Sequence, residues 1–267
     1  FILNNAIEKD PTSSRAFFYR GLAYATSGDY DHAKLDFEAA MLRGAPQARV
    51  LLARASAACK AEQYEEAIQD CNDLLKMEPK NLEAMLILTT SFERQRDYDG
   101  IEKIATQAIG ITDDPAIKAH LLVQRGFART RQRKHADAGH DFGQAIVLKP
   151  DASTYMQRGD AYRSLKRWGV AVSDYSQVIA KDPRRYEAYV ARGICYGALH
   201  EDKSAMKDFG RALSLDKAGV EAYIQRGSLH LSRSNYRLAA NDLEDAIKLL
   251  PNDTETQQKL AAAYTHL

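Results

Sequence analysis

Along this chain an arginine followed by a small residue returns at a nearly constant interval, and that periodicity limits the fold more than any other feature. The pair stands at Arg20-Gly21, Arg54-Ala55, Arg125-Gly126, Arg158-Gly159, Arg192-Gly193 and Arg226-Gly227. Followed through every copy, the small-residue position falls at 21, 55, 89, 126, 159, 193, 227 and 261, with intervals of 34, 34, 37, 33, 34, 34 and 34 residues. A second marker lies 12 residues on, at Ala33, Ala67, Ile101, Ala138, Ala171, Ala205 and Ala239. A third follows four later, at Phe37, Cys71, Ala105, Phe142, Tyr175, Phe209 and Leu243. Self-similarity at this period marks a stack of supersecondary units, none able to cover its own apolar face alone.

Each unit holds two stretches with apolar residues at helical spacing, such as Phe17, Gly21 and Tyr24, then Ala33, Phe37 and Ala40. Stretches of about 12–14 residues are marginal helices in isolation, so their stability must come from packing. Small residues in both helices let the backbones approach, and aromatics fill the space around them. Prolines at 11, 79, 150, 183 and 251 close many units, because proline cannot continue a helix and pushes its predecessor out of helical geometry.

With these residues in phase, the chain resembles the tetratricopeptide repeat family. That family's 34-residue signature places aromatics at positions 4, 11 and 17, small residues at 8, 20 and 27, and proline at 32. The first repeat answers it with Phe17, Gly21, Tyr24, Tyr30, Ala33 and Ala40. The resemblance implies an all-α fold, a right-handed superhelical α-solenoid of tandem helical hairpins forming a single array over 1–267. Its repeats run 14–47, 48–81, 82–115, 119–152, 152–185, 186–219 and 220–253. Residues 1–11 read as the second helix of a preceding repeat, and 254–267 as the first helix of an eighth, or a cap.

Position 7 is Arg and position 23 is Asp in six repeats. The pairs are Arg20 with Asp36, Arg54 with Asp70, Arg125 with Asp141, Arg158 with Asp174, Arg192 with Asp208 and Arg226 with Asp242. The third repeat has neither and carries Leu88 and Ile104. Charges present and absent together point to a structural ion pair around a partly buried arginine. Such an arginine without its carboxylate is costly, while an apolar pair can replace both. The third repeat also has Thr89 for the usual Gly, and the segment Thr112-Asp113-Asp114-Pro115 accounts for its 37-residue interval. This reads either as a tolerated loop irregularity or as a change of superhelical pitch.

Composition closes off other classes. No apolar run approaches the roughly 20 residues of a membrane helix, the best being residues 84–90, so membrane insertion is not expected. The start, FILNNAIEKDP, has no signal-peptide character and opens in mid-pattern, as a piece of a longer protein would. Three cysteines with no CxxC pair argue against a disulfide framework and for a reducing, cytoplasmic setting, with a ciliary or other assembly as an alternative. No nucleotide-binding, hydrolase or metalloprotease motif is present, so the chain is expected to be no enzyme and to carry no cofactor and no metal. His135, Asp137, His140 and Asp141 are too spread around a helix to face one metal.

Binding therefore carries the functional argument. In the resembled family, positions 2, 5, 9, 12 and 13 of the first helix line a concave groove that holds protein or peptide partners. Chaperone-tail binders of that family grip a terminal carboxylate with Lys at position 5 and Asn at 9. Here position 5 is Phe18, Leu52, Leu86, Val123, Met156, Val190 and Ile224, and position 9 is never Asn, so that clamp is not expected. Net charge is +1, but residues 118–192 carry 15 Lys/Arg against 7 Asp/Glu. A cleft of one sign raises the local concentration of an opposite partner, so an acidic segment fits there. Nucleic acid is disfavoured, because base-reading helical repeats use a different residue pattern. The candidate partner-binding residues are His120, Phe127 as apolar anchor, Arg131, Asp160, Arg163 and Ile194. The expected function is a non-catalytic protein-interaction scaffold. The alternatives are a structural component of a ciliary or trafficking complex using its edges and convex face, or the regulatory array of an enzyme whose catalytic domain lies elsewhere.

Overall fold

A computed structural model describes residues 2–267, which form sixteen helices and no strand among the described residues. The helices are α1 (Ile2–Lys9), α2 (Ser14–Ser27), α3 (Tyr30–Leu42), α4 (Gln47–Lys60), α5 (Tyr64–Met77), α6 (Leu82–Gln95), α7 (Tyr98–Ile111) and α8 (Pro115–Arg131). They continue as α9 (His135–Leu148), α10 (Ala152–Ser164), α11 (Trp168–Lys181), α12 (Tyr186–Ala198), α13 (Asp202–Leu215), α14 (Val220–Ser232), α15 (Tyr236–Leu249) and α16 (Thr254–Tyr264). The chain divides into two compact units, Phe1–Arg133 and Lys134–Leu267. In the first, α2/α3, α4/α5 and α6/α7 are hairpins, with α1 on α2 and α8 on α7. In the second, the hairpins are α10/α11, α12/α13 and α14/α15, with α9 on α10 and α16 on α15. Within each unit first helices approach one another, α2 with α4 and α12 with α14, whereas α13 and α15 have no comparable packing among the described residues. Gaps therefore open between consecutive second helices.

Local chemistry sets the helix ends. Ser13, Asp29, Asn81, Asp97, Asp114, Asp151 and Asp253 each accept a hydrogen bond from a first-turn amide. The turn after each of α2, α4, α6, α8, α10, α12 and α14 holds one residue in the left-handed region, at Gly28, Glu62, Arg96, Arg133, Lys166, His200 and Ser234. At Lys166 the closure is a Schellman motif: the Arg167 amide donates to the Tyr162 carbonyl at 2.8 Å and the Lys166 amide to Arg163 at 2.9 Å. The three extra residues of the 37-residue interval lengthen a helix rather than a loop. Pro115 stands at the first turn of α8, and Asp114 accepts from the Ala116 and Ile117 amides. Helix α8 thus runs 17 residues, against 13 or 14 in the other first helices α2, α4, α6, α10, α12 and α14.

The interior is built from paired sizes. A Cβ added at Gly21 would meet the Phe37 ring at 3.0 Å, and one at Gly193 the Phe209 ring at 2.7 Å, so glycine at position 8 admits the large residue at 24. In the third repeat Thr89 and Ala105 hold these positions, both fully buried, and the larger side chain has moved to the first helix. Leu88 and Ile104 join Ala105, Leu51, Leu74 and Met85 in one apolar cluster.

Five of the expected ion pairs are present and bidentate. Arg20 Nε and Nη2 donate to Asp36 at 2.7 and 2.8 Å, and Arg192 to Asp208 at 2.7 and 2.8 Å. Arg54 donates to Asp70 at 2.7 and 2.6 Å, and Arg158 to Asp174 at 2.9 and 2.6 Å. Arg226 repeats the geometry on Asp242 at 2.8 and 2.6 Å. The arginines are partly buried, and burial falls more heavily on the carboxylate than on the guanidinium. Asp36, Asp70, Asp174, Asp208 and Asp242 are all buried, whereas their arginines are only half-buried. The short aspartate ends inside the hairpin, while the long arginine stem crosses from the first helix and leaves part of its head outside. Asp70 and Asp174 are thereby sealed within the frame and present no surface to a partner. Of the sixth pair, Arg125 lies in one unit and Asp141 in the other.

Candidate partner-binding surfaces

The six candidate residues lie on three first helices: His120, Phe127 and Arg131 on α8 in the first unit, Asp160 and Arg163 on α10 and Ile194 on α12 in the second. Their surroundings differ from a simple lined groove. Phe127 is half-buried and packs edge-on against Tyr98, with ring centroids 6.3 Å apart. The Arg131 guanidinium stands over both rings, 5.7 Å from Tyr98 and 5.8 Å from Phe127, and its Nε donates to the Tyr98 hydroxyl at 3.2 Å. The end of α8 and the start of α7 thus form one aromatic and cationic platform. His120, about two turns earlier on α8, is exposed.

On α10, Asp160 is already engaged. It accepts the Tyr175 hydroxyl at 2.9 Å and Arg163 Nη2 at 3.4 Å. Tyr175 is wholly buried, and burial followed by the Asp160 charge drives its phenol far above the ordinary value. Cys195 is buried near the same groups, its thiol pushed up to about 12 mainly by burial, which leaves it protonated and inert at neutral pH. Arg163 is half-buried, and its Nε has no hydrogen-bond partner. Ile194 is half-buried against the α12/α13 core containing Tyr189, Val190 and Phe209. The structure brings Asp160 and Arg163 together, and Phe127 and Arg131 together through Tyr98.

The basic stretch is less available than its sequence implies. Arg129 is half-buried and pairs with Glu102 at 2.9 Å, and Arg125 Nη1 donates to Thr106 at 3.1 Å. Arg167 stacks on Tyr162 at 6.0 Å, and Arg185 pairs with Glu187 at 3.1 Å. Arg125 and Arg129 thus tie α8 to α7, whereas Arg131, Arg184 and Arg185 are exposed.

A groove that the sequence did not single out lies across α2 and α4. It encloses about 330 Å³, lined by Phe18, Leu22, Leu52 and Ala53, with Arg49, Lys60 and Glu83 at its edge. Arg49 stacks on Phe18 at 4.7 Å and reaches the Tyr19 hydroxyl at 3.5 Å. The hydrogen bond from Arg49, and then the charges of Arg49 and Arg15, hold the Tyr19 phenol below its ordinary value. The signal was present: the first repeat has aromatics at both positions 5 and 6, and arginine at position 2 in two consecutive repeats.

The profile of the tetratricopeptide repeat matches residues 2–49, 52–109 and 156–223, more than half of the chain. The chain belongs to the tetratricopeptide repeat family. No curated protein matches the sequence. Among solved structures, the C-terminal part of a TPR repeat-containing protein from Cytophaga hutchinsonii superposes with a TM-score of 0.73 at 14% identity, over 91% of this chain and 99% of that one. MamA gives 0.60 at 21% identity, over 64% and 92%. YrrB, described as a TPR protein with an unusual peptide-binding site, gives 0.60 at 14% identity, over 70% and 96%. At these identities the likeness speaks for the fold. No helix is long and apolar enough to cross a membrane.

Proposed function

We propose that this tetratricopeptide repeat protein is a non-catalytic scaffold that holds an extended or helical segment of a partner protein on the first-helix face of its first unit. The observation that carries the reading is the groove over α2 and α4, with an apolar floor of Phe18, Leu22 and Leu52 and an edge where the cations Arg49 and Lys60 outnumber the one carboxylate, Glu83. An apolar floor supplies non-directional affinity, roughly 25 cal/mol for each Å² covered, and the edge charges select against like-charged partners. The partner segment this fits is apolar on one side and acidic on the other. The Tyr98–Phe127–Arg131 platform on the same unit offers the same combination of ring and cation. Peptide binding by YrrB is consistent with the reading.

The test is recovery of partners from a lysate by parent and by the Leu52→Glu/Lys60→Glu variant, with circular dichroism confirming the fold. Loss of the parent's partners in the variant is expected; equal recovery would overturn the use of this groove. An Arg131→Glu/Arg163→Glu variant tests the two other candidate cations in the same assay.

A further inference from the structure

The paired arginines have a third donor, and its partner follows a rule. In addition to gripping its aspartate, Arg20 sends Nη1 back to Asn4 Oδ1 at 3.0 Å, sixteen residues earlier. Arg192 Nη1 reaches Ser176 Oγ at 2.9 Å, Arg54 Nη1 lies 3.5 Å from Glu38 Oε1, and Arg125 reaches Thr106 across the lengthened interval. In every case the acceptor is a side-chain oxygen on the second helix of the preceding pair. At two places in the second unit that position is glycine. Gly143 precedes Arg158, and a Cβ built on it would stand 3.6 Å from Arg158 Nη1. Gly210 precedes Arg226, and a Cβ there would meet nothing within 4 Å. Both arginines keep Nε and Nη2 on their aspartates, and among the described residues neither Nη1 has a hydrogen-bond partner.

Those same two pairs carry exposed aliphatic residues at position 19, Val170 at 44% and Leu238 at 51% exposure. Where the backward acceptor is present, position 19 is polar: His32, Glu66, Asp137 and Ser204. At Arg226 the missing side chain leaves a cleft of about 530 Å³ between α13 and α15, lined by Met206, Leu238, His230, Asn241 and Asp245 besides the ion pair itself.

We infer that the cleft at Arg226 and the glycine-flanked Nη1 of Arg158 are docking points on the second-helix face of the second unit, each taking an aliphatic side chain and a side-chain carboxylate from a partner protein's segment. The intramolecular acceptors define the occupant: the oxygen of Asn, Glu, Ser or Thr fills this place elsewhere in the array, and a carboxylate makes the stronger bond to a guanidinium. Of the carboxylates already at the cleft, Asp242 is held by Arg226 itself and Asp245 by Lys248 at 2.8 Å. Leu238 and Val170 give the adjoining apolar surface something to cover. This surface is distinct from the groove on α2 and α4, and its test does not depend on that groove.

The experiment is an NMR titration of the whole chain with acetyl-Leu-Glu-amide, following the arginine side-chain N–H signals. Signals of Arg158 and Arg226 should shift, while those of Arg192, held by Ser176, should not; acetyl-Leu-Lys-amide should move none. Gly143→Ser and Gly210→Ser supply the internal acceptor and should weaken the titration at their own arginine roughly tenfold or more, as loss of a charged hydrogen bond does. Absence of shifts at Arg158 and Arg226, equal shifts at Arg192, equal shifts with the lysine probe, or unchanged titration in Gly210→Ser would each overturn the proposal. The Arg192 comparison needs no variant, so a folding defect in either serine variant does not rescue it.

Discussion

The third and sixth repeats fill the same positions with opposite chemistry. The sixth has a bidentate Arg192/Asp208 pair and a glycine facing Phe209. The third has Leu88 and Ile104 where the charges would be, and Thr89 with Ala105 where glycine and the ring would be. Both are closed and buried. The difference teaches that the repeat requires matched occupants at each pair of positions, and that charge and size balance over two helices rather than residue by residue. A buried ion pair is weak evidence for stability, because desolvation offsets much of the attraction, whereas half of one is strongly unfavourable.

The largest expected effect comes from breaking that match in the sixth repeat. Asp208→Ala leaves Arg192 half-buried against Ser176 alone, and should cost about 3–5 kcal/mol by denaturant unfolding. Arg192→Leu/Asp208→Ile copies the third repeat and should recover most of that loss, giving a coupling energy well above the few tenths expected of independent sites. If the double variant is as unstable as Asp208→Ala, the two repeats are not interchangeable and the comparison fails.

Size gives the next effect. A Cβ on Gly193 would stand 2.7 Å from the Phe209 ring, so Gly193→Thr should cost about 1–3 kcal/mol through overpacking. Phe209→Ala should cost about 3–5 kcal/mol through the cavity it leaves. Joined, Gly193→Thr/Phe209→Ala reproduces Thr89 and Ala105, and its loss should be smaller than the sum of the two single losses. Strict additivity in unfolding measurements would show that the third repeat is stabilised by its surrounding cluster of Leu51, Leu74 and Met85 instead.

The fold was legible because its determinants are local and repeated: the interval, the small residues, the Arg/Asp covariation and the closing prolines all recur in phase. The placement of the 37-residue irregularity was not, since Asp-Pro reads equally as a turn and as the start of a helix, and only the cap bonds to Ala116 and Ile117 decide for a longer α8. Covariation also said which charges pair, but not that Asp70 and Asp174 would be sealed inside while Arg54 and Arg158 keep partial contact with solvent. Candidate surfaces were read less well for a related reason. Position numbers say which residues share a face, but not which charges are already satisfied by neighbours. Asp160 has the position of a binding residue, yet its carboxylate is held by Tyr175 from the second helix of its own pair. Arg129 is likewise consumed by Glu102. The glycines at 143 and 210 are visible in sequence, but their meaning depends on the sixteen-residue backward reach of the arginine, which is a distance in space.

The smallest effect separates the sixth repeat from the seventh at position 11, where Tyr196 gives way to His230. His230 is largely buried, its Nδ1 has no hydrogen-bond partner, and its Nε2 lies 4.0 Å from Asp242. Burial, helped by the Arg226 charge and opposed by Asp242, holds its pKa below the ordinary 6.5. Between that lowered value and 6.5 the unfolded chain binds more protons than the folded one, so stability rises with pH and is lost as pH falls through this window. The melting temperature of the parent should therefore drop between about pH 7.5 and 5.5 more steeply than that of His230→Tyr, which restores the residue of the sixth repeat. Exposed carboxylates titrate in both chains and cancel in the difference. Parallel melting curves against pH would mean that the histidine is solvated when charged, and that the seventh repeat tolerates at position 11 a cation that its buried position argues against.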